Sequence, residues 1–90
     1  MSEERLREVI REPAFEDELH VLISRNPREA DEFIEGAEYI LARNPESGIM
    51  ALDAPPLWFM PMAAAGGKQV TLYYTFDETS VLFVGIRIEP

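Results

Sequence analysis

The chain has no cysteine among its 90 residues. That absence removes thiol nucleophiles, thiolate-bound metals and a disulfide framework together, and it fits a reducing compartment. There is one histidine, His20, and no partner stands at ligand spacing from it. It reads as an ordinary helix residue, so no metal site is expected. Bases are also scarce, with eight Lys and Arg against 17 Asp and Glu and a net charge of −9. Proteins that hold nucleic acid do so largely by neutralising phosphates with Lys and Arg. Only Lys68 and Arg87 follow residue 48, so charge argues against a general nucleic-acid binder. No apolar run approaches the roughly 20 residues of a membrane span, and "MSEERLREVI" has no signal-peptide pattern. The expectation is a cytoplasmic protein without a membrane partner. No phosphate loop, nucleophile elbow, dinucleotide fingerprint or internal repeat occurs, and no cofactor is expected.

What is present divides in two. Residues 1–48 carry 13 acids and six bases, whereas residues 49–90 carry four and two. A charged half therefore precedes a nearly neutral one. With 47% hydrophobic content, the whole of 1–90 is enough for one small domain with one core.

In "AFEDELHVLIS", Phe15, Leu19, Leu22 and Ile23 recur at the spacing of one helix face, with acids at the start where the helix dipole favours them. "RNP" interrupts. Asn26 can cap a second helix, Pro27 suits its first position, and Glu29 completes a capping-box spacing. That helix is predicted over 27–43, burying Ala30, Phe33, Ile34, Ala37, Ile40 and Leu41. Gly36 within it suggests close packing, and Pro45 prevents continuation. The short connection predicts an antiparallel αα-hairpin. Asp31, Glu32, Glu35 and Glu38 read as a solvated acidic face.

After Gly48 the period becomes that of strands: "IMALD", "LWFMPM", "KQVTLYYTF" and "VLFVGIRI". Pro61 predicts an edge or a strand end for the second of these. The apolar run Trp58, Phe59, Met60 and Met62 reads as core plus a sticky edge, open to a partner segment or a second copy of the chain. Leu6, Val9 and Ile10 have helical spacing, so local sequence favours helix in the first segment by a little, yet Pro13 follows and "EVIRE" also suits a short strand.

The last two strands admit two registers. A two-residue turn at Glu78-Thr79 pairs Phe76 with Val81 and Val70 with Arg87, which places Arg87 among apolar residues. A three-residue loop pairs Phe76 with Leu82, Leu72 with Ile86 and Thr71 with Arg87, leaving one wholly apolar face. Burying an unpaired charge is costly, so the second register is preferred, although the loop lacks the glycine such hairpins favour.

Three stretches, taken in order, resemble the RelE/ParE toxin superfamily of type II toxin–antitoxin systems. "EVIREPAFEDEL" is similar to its first strand and helix, "EADEFIEGAEYILARNPESG" to its second helix and following turn, and "VTLYYTFDETSVLFVGIRI" to its closing hairpin. The resemblance spans about residues 8–89 and tips residues 8–12 towards strand. It implies an α+β fold in which an N-terminal strand and an αα-hairpin pack on a curved antiparallel β-sheet. It also implies a toxin neutralised by a cognate antitoxin.

Ribosome-dependent members cleave mRNA by attack of the RNA 2′-hydroxyl, which requires clustered cations and a general acid or base. Of that set, Arg87 matches the arginine after the "VG" of the last strand, Lys68 matches loosely, and Tyr73 shares a face with Arg87 without matching the family's tail tyrosine. The strand "LWFMPM" supplies no lysine, and "IEP" after Arg87 supplies no tyrosine. Two readings therefore stay open: an mRNA interferase with a depleted catalytic set, or a non-catalytic module that binds DNA gyrase or another protein. Arg87, Lys68 and Tyr73 are the candidate catalytic residues in the first. In the second, Arg87 is a partner contact or a solvated outer-face side chain.

Overall fold

In a computed structural model, which describes residues 6–25, 27–63 and 69–89, Glu8–Arg11 form strand β1. Helical spacing loses here to backbone partners. The Glu8 N–H bonds to Thr79 O and the Glu12 N–H to Phe83 O, both at 3.0 Å, which fixes the segment in extended pairing. Pro13 disfavours helical geometry in the residue before it and is itself preorganised as a first helical residue. Helix α1 accordingly runs Pro13–Arg25, with Glu12 O accepting the Glu16 N–H. Helix α2 runs Pro27–Arg43, as the proline boundaries predict; the proposed cap, Asn26, lies outside the described residues.

A short 3-10 turn, Pro45–Ser47, leads into four strands: β2 (Ile49–Asp53), β3 (Pro56–Ala63), β4 (Gln69–Phe76) and β5 (Ser80–Glu89). The sheet order is β1-β5-β4-β3-β2. The last four strands pair antiparallel, but β1 joins β5 in parallel. The sheet is therefore mixed rather than antiparallel throughout, because the two helices between β1 and the meander form a crossover.

Strand alternation gives the sheet a covered and an open face. On the covered face Leu72, Tyr74, Val81 and Phe83 cluster with Phe15 and Leu19 of α1 and with Phe33, Ile34, Ala37 and Leu41 of α2. The Phe15 and Phe83 rings lie 5.2 Å apart. The side chains of Leu22, Ile23 and Ala30, also predicted for the helical core, lie outside those described; among the described ones Ile40 is misplaced, being 40% exposed, and Ala42 is buried instead. The chain leading into β1 passes over that flank of α2, where the Arg7 N–H bonds to Ala42 O. Gly36 does not serve close packing, since an added Cβ would meet nothing within 4 Å.

Pro61 marks a local edge at the end of β3, although the strand as a whole is not an edge strand. β3 is interior, with β4 on one side and β2 on the other. However, β2 accompanies β3 only as far as the Ile49–Phe59 pair, so at Pro61 no β2 residue awaits the missing N–H.

Gly48 is fixed by close approach. A Cβ there would lie 2.2 Å from the Tyr74 hydroxyl and 2.6 Å from Phe59 O. The hydroxyl accepts the Gly48 N–H at 3.1 Å and donates to Pro45 O. It thereby ties the start of the meander to the middle of β4. Burial raises the Tyr74 phenol to about 12, partly offset by the Gly48 N–H.

Each of the two hairpin registers holds over part of β4–β5. Near the tip Phe76 pairs with Val81 and Tyr74 with Phe83, as the two-residue turn requires. The register then shifts, and Tyr73 pairs with Gly85, Leu72 with Ile86 and Thr71 with Arg87, as in the three-residue reading. Val84 is the extra residue, a β-bulge. It keeps Val81 and Phe83 on the covered face without forcing Arg87 there. Asp77 replaces the missing glycine at the tip, its carboxylate accepting the Thr79 and Ser80 N–H groups at 2.8 Å each. Those two backbone bonds hold the Asp77 carboxyl below its ordinary pKa.

Candidate functional site

The open face is built from the residues that alternate with the core. β4 contributes Thr71, Tyr73 and Thr75, β5 contributes Leu82 and Arg87, and β3 contributes Leu57, Phe59 and Pro61. The helical core residues gather on the other side, so neither helix forms a layer here.

Arg87 is exposed and sits directly opposite Thr71. No ion pair or side-chain hydrogen bond holds its guanidinium among the described residues. Tyr73 stands opposite Gly85, one same-face step along the ladder from Thr71 and Arg87, a diagonal that long side chains can span. Its ring lies 6.2 Å from that of Phe59 and is half-buried. Lys68, the third candidate, lies outside the described residues. The structure therefore brings Arg87 and Tyr73 onto one face, with Thr71 between Arg87 and Pro61.

Thr71 is the side chain that sequence reading undervalues. It is 8% exposed although it lies on the open face, and its hydroxyl has no partner among the described residues. A threonine in a strand gives no sequence signal of such burial, because the cover depends on which neighbours lean over it. Tyr74, by contrast, belongs to the core and to Gly48, not to the site.

Charge is segregated across the sheet. Asp31, Glu32 and Glu35 are exposed on α2, behind the covered face. The acidic chain therefore turns its near-neutral sheet, with Arg87 as the described cation of β2–β5, away from its acidic helices. The other well-placed arginine is occupied: Arg11 pairs with Glu38 and, at 3.7 Å, with Glu16. The Glu38 contact, first among its causes, raises the Arg11 pKa, and the cluster ties β1 to both helices.

Among the described residues no three His, Asp or Glu side chains converge as a metal site would require. None of the described helices is long and apolar enough to cross a membrane. Comparison with protein-family models, with curated proteins and with solved structures finds no match to this chain.

Proposed function

We propose that this chain is a RelE/ParE-like toxin component of a type II toxin–antitoxin pair, acting through the open face of its sheet. One observation carries the reading: Arg87 is exposed, unpaired among the described residues and opposite Thr71 on a face that neither helix covers. A structural arginine would be expected in a pair such as Arg11 makes with Glu38. The element order of one strand, two helices and a four-strand meander suits the same reading.

Binding of a macromolecular target is favoured over RNA cleavage. Attack by a 2′-hydroxyl places extra negative charge on the phosphate and requires proton transfer at two oxygens. Arg87 and Tyr73 supply one cation and one phenol. The second reading, an mRNA interferase with a reduced set, draws support from their sharing a face and would use Arg87 on the phosphate with Tyr73 beside it.

The test is tightly controlled expression in a bacterial host, comparing wild type with Arg87→Ala. Growth arrest that the substitution relieves is the expected result. Mapping of message 5′ ends and assay of gyrase-dependent supercoiling then separate the two readings. Normal growth with soluble, folded wild-type protein overturns the toxin assignment. A small adjacent reading frame whose product restores growth would be the antitoxin.

A further inference from the structure

The two edges of the sheet are finished differently. At β1 the edge is charged and tied down. Glu8 and Arg11 lie along it, Arg11 is held by Glu16 and Glu38, and the preceding residue, Arg7, gives its N–H to α2. Charged side chains and covering contacts are the usual protection of an edge strand. At β2 that protection is nearly absent. All five of its residues are exposed, with Ile49, Met50 and Leu52 at 52%, 48% and 56%. No strand lies beyond it among the described residues. Its devices are the register shift between Met50 and Leu52 and a single terminal charge, Asp53.

We propose that the free edge of β2 docks an extended segment of a partner protein, added as a sixth strand. The segment would be apolar at alternate positions and carry Lys or Arg at both ends. Backbone groups along the edge supply the pairing, and alternate side chains supply selectivity. Ile49 and Leu52 pair with Phe59 and Leu57, and so extend the apolar part of the open face to the rim; Met50 does the same on the covered face beside Trp58. An incoming strand that alternates apolar residues would set them all on one face, continuing the open-face rim of Ile49 and Leu52.

Charge selects the occupant. β2 ends in Asp53, and Glu46 is exposed three residues before Ile49. An apolar edge bracketed by acids suits a segment bracketed by bases. It disfavours a second copy of this chain. Two β2 strands paired antiparallel about Ala51 would set each Asp53 against Ile49 of the other copy, near its Glu46. Paired in parallel, they would stack Asp53 on Asp53. Each copy also brings a net charge of −9, which adds long-range repulsion at low salt. Arg87 takes no part in this contact, so the inference stands or falls separately from the toxin assignment.

The probe is a synthetic peptide, Lys-Val-Thr-Val-Thr-Val-Lys, blocked at both ends and titrated into the isotope-labelled full chain. The expected result is slowed amide exchange at residues 49–53. Replacing the terminal lysines by glutamates should weaken binding by at least about ten-fold at low salt, with the difference shrinking as salt rises. Leu52→Lys should abolish the protection, and Asp53→Lys should narrow or invert the preference for the basic peptide. Both side chains are exposed, and unchanged spectra of the core amides show that each variant is folded. Three results overturn the proposal: no protection at 49–53 with millimolar peptide, shifts centred on Tyr73 and Arg87 instead, or a dimer of the chain alone that Leu52→Lys dissociates.

Discussion

Tyr73 and Tyr74 are neighbours in sequence and lie on opposite faces of β4. Tyr74 is fully buried, packs in the main core and holds Gly48 and Pro45 through its hydroxyl. Tyr73 is half-buried against Phe59, on the face that carries Arg87. The difference shows how one strand can serve two ends. The period of two sends every second side chain to the helices, where it is fixed by packing, and the others to a surface that packing leaves available. A residue on the open face can therefore be selected for what it binds.

The comparison breaks most readily at Phe83. Its ring is fully buried against Phe15, so Phe83→Ala should cost about 3–5 kcal/mol, a large share of the stability of so small a domain. Tyr73→Ala on the open face should cost far less. Urea unfolding of both variants measures the contrast, and equal losses would mean that the open face is also core.

A smaller effect is expected at the Tyr74 hydroxyl. Tyr74→Phe leaves Pro45 O and the Gly48 N–H without their buried partner and should cost about 1–3 kcal/mol at neutral pH. The pH dependence gives a second reading. The folded-state pKa of Tyr74 is raised from 10.0 to about 12, so folding favours the neutral phenol. Its contribution is complete below pH 10.0 and is lost as pH rises through about 12. Wild type should therefore lose stability more steeply than Tyr74→Phe across that interval. Parallel curves would show that Tyr74 ionises as freely in the folded chain as in the unfolded one.

How much of this is legible in the sequence depends on how local its cause is. The bounds of α2 follow from Pro27 and Pro45, which act on their own neighbours. Among the residues whose burial is described, the helical core follows from periodicity except at Ile40, whose flank is decided by where the chain before β1 passes. β1 itself is helical by local spacing and extended in fact, because its partners lie more than 70 residues away. The hairpin register is half legible. Apolar alternation correctly keeps Arg87 off the core, but the bulge at Val84 is supported by a remote group. Glu18 of α1 accepts the Ile86 N–H at 3.0 Å, and a Cβ at Gly85 would come within 3.1 Å of the same oxygen. No window of sequence shows a contact between residues 18 and 86. At the site, Arg87 and Tyr73 are placed on one face by alternation alone, whereas the burial of Thr71 depends on its neighbours in three dimensions.

The smallest expected effect is the one that makes the functional test readable. Arg87 is exposed, and no described residue pairs with its guanidinium; a substitution at such a position changes stability by no more than about 0.5 kcal/mol. Arg87→Ala should therefore melt with wild type. If it does, relief of growth arrest in that variant reports on a lost contact with the target, since the fold is unchanged. A loss above about 1 kcal/mol would place Arg87 among the groups that hold the sheet together, through its aliphatic stem packed on Thr71 and its neighbours. Tyr73 and Arg87 would then cease to mark a face kept free for binding. The growth phenotype would have to be taken from Arg87→Lys, which keeps the stem and the charge but lacks the planar fork that grips a phosphate or carboxylate at two points.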